Sequence, residues 1–435
     1  MDKKKVVVVG GGIAGIQASL DLADRGYEVH VVEKSPSIGG HMAQLDKTFP
    51  TNDCSMCILS PKMISCADHE NVVLHTYSEL DGVDGAFPDF KVRIREKARF
   101  IDTSRCTACG DCIAKCPVKV TSEFEEGLSN RKAVYIPFPQ AVPRKATIDK
   151  DHCRMITQKK CGVCKKACQA EAVDFDQEDS MVEIDASAVV LANGFDLMDA
   201  TSMPEYGLGI CKDVITSLQL ERILSASGPT NGRLQRPSDE KEPRNLGFIQ
   251  CVGSRDSNTR SYCSSVCCMY ATKESILARE HAPEVDIAIF YMDMRATGKG
   301  FQEFVSRARD TYGVRYIRSR PAKIQPVNGD SGVLMNYETR GLAGESKTEE
   351  FDMLVLCPAL VPSPDNVLLS QMLHVELDGE GFFETPDLAH PVDTTARGIL
   401  VCGFASGPID IPDSVSQASA VAARVAELIE GGEDS

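Results

Sequence analysis

The run VVVVGGGIAGIQASLDLADRGYEVHVVE, residues 6–33, constrains this chain more than any other stretch. Val6 to Val9 read as a buried parallel strand, Gly10, Gly12 and Gly15 open a helical run, and a second strand ends at Glu33. Each glycine has a mechanical role. Gly10 permits a tight turn, Gly12 lets backbone approach a pyrophosphate, and Gly15 lets helix and strand pack closely. The helix start offers unpaired N–H groups and a positive dipole end to phosphates. Glu33 stands where a carboxylate accepts from ribose hydroxyls, and its charge disfavours a 2′-phosphate. Strand, helix, second strand and acid in register predict a dinucleotide-binding βαβ unit rather than a Gly-rich turn in an ordinary one.

The positions that follow narrow the ligand. Lys34 and then Gly39-Gly40 come after Glu33, an order usual where a flavin dinucleotide, rather than NAD, lies across the sheet edge. Cys54-Ser-Met-Cys57 comes next, ahead of Pro61-Lys62, with Cys66 beyond. That order loosely resembles the disulfide-bearing segment of glutathione-reductase-type flavoenzymes. Taken as residues alone, Cys54 and Cys57 read as a redox dithiol, as cluster ligands with Cys66, or as packing. Residues 71–100, with NVVLHTY and DFKVRIREKARF, suit a small meander or hairpin beside the nucleotide fold.

Composition bounds the class. A length of 435 residues predicts two or three domains, and 43% apolar with 25% charged residues is the balance of a soluble globular protein. No apolar run reaches the length of a membrane helix. MDKKK runs straight into the first strand, which leaves no room for a signal peptide. A net charge of −16 argues against nucleic acid and for protein or small-molecule partners. Eighteen cysteines with C-x-x-C spacings and no signal read as metal ligands of a cytoplasmic redox protein.

The densest cysteine pattern lies between positions 106 and 168. Its first half is Cys106-x2-Cys109-x2-Cys112-x3-Cys116-Pro117 and its second is Cys153-x7-Cys161-x2-Cys164-x3-Cys168. Closely spaced cysteines wrap one face of a cubane, and the fourth serves the other cluster. Cys106, Cys109, Cys112 and Cys168 are therefore expected on one [4Fe–4S] cluster, with Cys116, Cys153, Cys161 and Cys164 on the second. Structural zinc also uses C-x2-C pairs, but two tandem four-cysteine halves exceed what a zinc site needs. The x7 gap and Gln169, where a proline is usual, depart from the ferredoxin pattern. The module reads as an insertion, because VEIDASAVVLANGFD after it forms a strand pair ending at Asn193-Gly194, the place of an Ala-Thr-Gly turn in two-dinucleotide flavoproteins.

Residues 197–245 read as amphipathic and loop-like. NLGFIQCVGSRD then starts a second dinucleotide-type fold without its glycines, since Cys251-Val-Gly253-Ser-Arg255 stands where G-x-G-x-x-G would. Cys251, Cys263, Cys267 and Cys268 fit a third [4Fe–4S] cluster better than zinc, because adjacent Cys267 and Cys268 strain tetrahedral chelation; the alternative is a set of buried thiols. DIAIFYMDMR and FDMLVLCPALVPS supply further parallel strands, and the lone Cys211, Cys357 and Cys402 read as packing. The end, GILVCGFASGPIDIPDSVSQASAVAARVAELI, repeats strand, Gly-rich turn and helix, the place where flavoproteins bring a helix N-terminus to the flavin. Phe404 follows Gly403 where an acid is usual, so Asp413, Ser414 and Gln417 become the candidate polar contacts, unless Asp413 or Ser414 merely caps the helix.

With GGHMAQLDKTFPTNDCSMC, NRKAVYIPFPQAVP, FIQCVGSRD, YCSSVCCMYATKE, FYMDMRATGKGFQEF and GPIDIPDSVSQASA in view, the chain resembles the A-type subunit of heterodisulfide reductase over nearly its whole length. The resemblance implies an α/β fold, a thioredoxin-reductase-like flavoprotein with two dinucleotide-binding-type domains and an inserted two-[4Fe–4S] ferredoxin module. It divides as 1–100, 101–178, 179–245, 246–358 and 359–435: flavin domain, ferredoxin insert, flavin domain and crossover, cluster-bearing second domain, and flavin domain again. It also implies that Lys273 lies near the flavin N5, where a cation stabilises negative charge on reduced flavin; from the residues alone Lys273 reads as helix surface. The longer family members carry an N-terminal extension and a terminal two-cluster ferredoxin that this sequence lacks.

The resulting expectation is an oxidoreductase subunit with one FAD and about three [4Fe–4S] clusters, whose cofactors perform the chemistry. The expected partners are B- and C-type subunits of heterodisulfide reductase, a hydrogenase- or formate-dehydrogenase-type electron donor, ferredoxin, and a second copy within a larger complex. Electron pairs would divide at the flavin between ferredoxin and a disulfide-reducing partner. The rivals are a relay and scaffold subunit that does not split pairs, and a flavin disulfide reductase acting through Cys54 and Cys57.

Overall fold

The computed structural model describes residues 4–327, 332–339 and 345–431. It divides into two units: Met1–Ala43 with Ile58–Phe195 and Pro362–Ser435, and Gln44–Cys57 with Asp196–Val361. Residues 44–57, which sequence order assigns to the first nucleotide segment, group with the second unit.

The first unit is built on a five-stranded sheet in the order Ile399–Val401, Ala188–Leu191, Lys5–Val9, Glu28–Glu33, Val72–Thr76. Every neighbouring pair is parallel, with Val7 opposite both Val189 and His30. A strand covered on both faces needs continuous apolar residues, which is why Val6 to Val9 work here. Val7, Val9, Val32 and Val189 pack on Phe90, Val92, Ile94 and Ile184 of an antiparallel layer formed by Ser78–Ala86, Asp89–Glu96 and Ser180–Ala186. Helices Ile13–Asp24 and Ile411–Glu430 pack on one another and on the sheet. Val72–Thr76 corrects the hairpin expected for NVVLHTY, since it forms the parallel edge strand while the hairpin itself begins at Ser78. A short β-rich run cannot announce which partner it will take.

The cysteine-rich insert leaves and rejoins this unit at one point. Asp89–Glu96 and Ser180–Ala186 are antiparallel neighbours in which Glu96 lies opposite Ser180. Everything between them is therefore a long excursion from the end of one ladder. The excursion has its own core, in which Cys106, Cys112, Cys116, Cys153 and Cys164 pack with Phe100, Ile101, Val134, Ile148 and Val173. Arg99 ties its root to the nucleotide fold. Its guanidinium, 5% exposed, donates to Thr147 Oγ1 at 3.2 Å, to the Pro36 carbonyl at 3.1 Å and to Thr76 Oγ1 at 2.5 Å. Burial holds its pKa down at about 10.

The second unit repeats the parallel theme in the order Val214–Thr216, Met353–Pro358, Asn245–Val252, Asp286–Tyr291, Arg315–Arg318. An antiparallel layer of Lys323–Pro326, Val333–Thr339 and Glu345–Phe351 packs Val333, Met335 and Phe351 against Phe290 and Leu354. Val214–Thr216 is the one strand in a stretch that reads as loop from sequence, because three residues are too few to show periodicity.

Arg99→Met removes the three donor bonds while retaining bulk. It is expected to destabilise the first unit by about 2 kcal/mol, measured as a lowered denaturation midpoint.

Candidate functional site

The first glycine turn is shaped by contacts a side chain would block. Gly10 has φ +107°, and a Cβ there would strike the Ala192 carbonyl. A Cβ on Gly15 would strike the Gly10 carbonyl, so the helix rests directly on the turn. At Gly12 a Cβ would meet nothing within 4 Å, which leaves backbone open at the helix start. Glu33, buried at the strand end, accepts from the Gly11 N–H at 2.8 Å and the Ser35 N–H at 2.7 Å. Its carboxylate thus props the turn. Gly39 donates to the Gly11 carbonyl at 2.7 Å, and Gly40, φ +56°, lies against Gly12. Lys34 sits instead on the surface, paired with Asp365 at 2.9 Å.

Asn193 and Gly194 reach the same turn from the neighbouring strand. Asn193 Nδ2 donates to Asn366 Oδ1 at 2.7 Å, whereas its own Oδ1 is buried without a partner. A buried orphan acceptor on the residue that abuts Gly10 is the pattern a bound dinucleotide would complete. Asn193 therefore has a side-chain role that a backbone-led turn does not require. At the last strand Gly403 donates to Gln417 Oε1 at 2.8 Å, and Gln417 also bonds Ser406. The helix is capped by Asp410, which accepts from the Asp413 N–H at 2.9 Å, rather than by Asp413 or Ser414. Ser414 donates to the Asp410 carbonyl at 2.7 Å and Asp413 is exposed. Pro412 just inside the helix is the sequence signal for a cap at Asp410. Phe404 stacks obliquely on Phe195, centroids 4.5 Å apart, and Phe195 on His41 at 4.7 Å. That aromatic wall leaves no periodic trace in the sequence.

In the insert the cysteines surround two cavities. One is lined by Cys106, Cys109, Cys112 and Cys168, and the other by Cys116, Cys153, Cys161 and Cys164. Each set takes three sulfurs from one half of the sequence and one from the other. The symmetry extends to backbone: Gly110 (φ +88°) and Gly162 (φ +105°) follow Cys109 and Cys161 and start the matching short helices Asp111–Lys115 and Val163–Ala167. Burial, then neighbouring Cys106 and Cys168, push Cys112 up to about 11. Burial, then Cys153, push Cys164 to about 11 as well. Such crowded thiols become thiolates only with positive charge among them, which iron supplies. Among the described residues no three His, Cys, Asp or Glu side chains converge on a single-ion site; the sulfurs ring a cavity instead.

In the second unit Cys251 (φ +59°), Cys267 and Cys268 are buried and Cys263 is half-buried. Burial raises Cys267, and the charges of Cys251, Cys268 and Cys263 raise it further. Arg295 N–H donates to Cys268 Sγ at 3.5 Å, and Ser265 N–H to Cys263 Sγ at 3.4 Å. Met198 lies where a Cβ on Gly253 would be, so side chain fills the turn that a second pyrophosphate would need. Lys273 is 1% exposed, which overturns the surface reading made from residues alone. Its Nζ donates to Glu221 and to the Lys47 carbonyl at 2.9 Å. Cys54 and Cys57 form a disulfide with Cα atoms 5.2 Å apart, and Cys57 is exposed. Cys66, Cys211, Cys357 and Cys402 are buried.

These features define a class: a two-unit dinucleotide-type α/β protein with a cysteine-rich insert. Residues 8–74 match the model of the NAD(P)-binding Rossmann-like domain and residues 99–120 that of the 4Fe-4S binding domain. The fold is that of thioredoxin reductase, with TM-scores of 0.54 to the Lactococcus lactis enzyme (14% identity, 99% of this chain and 100% of that one) and 0.53 to that of T. acidophilum (12% identity, 99% of each). The A-type iron-sulfur subunit of the CoB--CoM heterodisulfide reductase of Methanocaldococcus jannaschii is 48% identical over 97% of this chain and 64% of its own length. An A-type iron-sulfur subunit of the Methanopyrus kandleri CoB--CoM heterodisulfide reductase is 49% identical over 99% and 65%. The A-type subunit of the H(2):CoB-CoM heterodisulfide,ferredoxin reductase of Methanothermobacter marburgensis is 47% identical over 99% and 64%. The chain belongs to the family of heterodisulfide reductase A-type subunits, and spans somewhat less than two thirds of the length of these relatives. FAD and [4Fe–4S] clusters are the cofactors that this combination of fold, domains and family carries.

Gly12→Ala separates ligand from scaffold. The space at Gly12 predicts a stability change within about 1 kcal/mol and weakened FAD retention. Gly15→Ala is expected to lower both together, read by thermal unfolding and flavin content.

Proposed function

We propose that this chain is the FAD- and iron–sulfur-carrying oxidoreductase subunit of a cytoplasmic heterodisulfide reductase-type complex. The observation that carries the reading is the pair of cavities in the insert, each lined by three cysteines of one half and one of the other. Gly10, Gly12, Gly15, Glu33, Gly39, Gly40, Asn193, Gly194 and Gly403 are assigned to the dinucleotide. The two cavity sets hold the insert's clusters, and Cys251, Cys263, Cys267 and Cys268 hold a third. Flavin exchanges electrons in pairs or singly and each cluster passes one at a time.

The protein's own residues position and tune. Gly12 and the N-terminus of helix Ile13–Asp24 receive phosphate, and Glu33 anchors the turn while accepting from a ribose. Lys273 supplies a buried positive charge that favours negative charge on a reduced flavin. The names of the relatives join hydrogen or formate, ferredoxin and the CoB-CoM heterodisulfide. They support a donor of the hydrogenase or formate-dehydrogenase type, companion subunits, and ferredoxin as second acceptor; B- and C-type disulfide-reducing subunits and a homodimer within the complex belong to the same reading. Electron pairs then divide at the flavin. Among the described residues no helix is long and apolar enough to cross a membrane.

Chain purified anaerobically is expected to hold one FAD and about twelve iron atoms, roughly four per cluster. Cys168→Ser should remove about four, and iron near eight in the parent would remove the third cluster from this assignment. Potentiometric titration tests the division of electrons: crossed one-electron flavin potentials support it, whereas two well-separated ordinary steps leave a simple relay subunit.

One observation favours a second reading. The Cys54–Cys57 disulfide, with Cys57 exposed and Cys54 Sγ accepting from the Cys57 N–H at 3.1 Å, has the form of an accessible exchange couple. If it takes electrons from the flavin, Cys54→Ser abolishes disulfide turnover while the cluster spectrum persists. Unchanged turnover in that variant ends this reading.

A further inference from the structure

Helix Cys267–His281 carries, next to Lys273, a second buried ionisable side chain that the proposed mechanism leaves unused. Lys273, Glu221 and Glu274 are each 1% exposed, so the three form a group cut off from solvent. Each oxygen of Glu221 already has a donor: one accepts from Lys273 Nζ, and the other from the Asp46 N–H at 2.9 Å. Lys273 is engaged as well, since its Nζ also donates to the Lys47 carbonyl at 2.9 Å. Two good acceptors on one amine are what an ammonium needs. Glu274 differs, because its Oε2 is buried with no partner.

We infer that Glu274 carries its proton in the folded protein, donates it to Glu221, and so acts as a positioning residue that keeps Lys273 and Glu221 as an ion pair. The argument is a charge count. With Glu274 ionised, the triad holds two carboxylates and one ammonium, a net charge of −1 without solvent, and one carboxylate oxygen has no donor at all. Both conditions are costly. With Glu274 neutral the net charge is zero, its O–H meets Glu221, and the orphan atom becomes a carbonyl oxygen. Burial, followed by the charge of Glu221, raises the Glu274 carboxyl well above the usual range, against the opposing pull of Lys273.

The remaining groups around the triad point the same way or are neutral. Cys357, from the strand Met353–Pro358, and Tyr270, one turn back on the same helix, face Glu274 and are held protonated by burial. Asp46 adds negative charge from the segment behind Glu221, with Lys47 and His281 as the basic groups near it. None of these offers Glu274 a positive partner of its own. A proton held here also leaves Lys273 to Glu221, because a neutral Glu274 does not compete for the cation. The use of that cation to tune a flavin rests on the function proposed above; the proton itself does not.

Infrared difference spectroscopy on the purified chain tests the proton without reference to flavin chemistry. The C=O stretch of a protonated carboxylic acid is expected at neutral pH, shifting in D2O and vanishing in Glu274→Gln, which is isosteric and neutral and should fold normally. Lys273→Met removes the cation from Glu221, so the acid band should grow by a second carboxyl. Absence of the band in the parent, or a band unaltered in both variants, overturns the inference. Flavin potentials that differ from expectation while the band behaves as described would count against the proposed role of Lys273 alone.

Discussion

The contact on which the first unit depends is the close approach of helix to turn at Gly15 and Gly10. With no Cβ on either, the helix sits on the Gly10 carbonyl and the turn sits on the Ala192 carbonyl. Residues 10–15 and Ala192, far apart in sequence, thereby meet at one point. Glu33 then fixes the turn from the other side through the Gly11 and Ser35 amides. Gly12 lies between these contacts along the chain, and a Cβ there would meet nothing within 4 Å.

The insert obeys a different constraint. Five buried cysteines share its interior with ten buried alanine, aliphatic and phenylalanine residues. Thiols so crowded are a poor core by themselves, since burial and mutual charge both oppose thiolate formation. Its fold and its ligands are therefore one problem, as expected where cluster assembly supplies the missing cohesion. Attachment at paired strand ends, Glu96 opposite Ser180, lets such a module be carried without disturbing the ladder from which it emerges. Arg99 then fixes its root to the parent fold by directed bonds rather than by bulk.

Much of this is readable in the residues. The valine run, the glycines and Glu33 foretell the parallel unit because each is required by local geometry. The crossed cysteine sets are readable because ligand spacing around a cubane is short-range. Other features are not. Val72–Thr76 and Val214–Thr216 are too short to declare a partner, and Lys273 reads as surface until helix, sheet and Glu221 are assembled around it. Asp413 and Ser414 read as polar contacts to the flavin or else as caps, whereas the cap is Asp410, which Pro412 marks. The pairing of Cys54 with Cys57, one of three arrangements the residues allow, requires the backbone turn before helix Ser55–Asp68.

What the sequence determined by itself is chemistry carried by neighbours along the chain: the glycine turn, the acid at the end of the second strand, and the three-plus-one distribution of cysteines. The tertiary structure alone decided which isolated groups lose water. Asn193 Oδ1 became an orphan acceptor, Met198 closed the second turn, and Lys273, Glu221 and Glu274 became a dry triad. The physical reason is that spacing is a property of consecutive residues, whereas desolvation is set by whatever distant chain comes to lie on top of them.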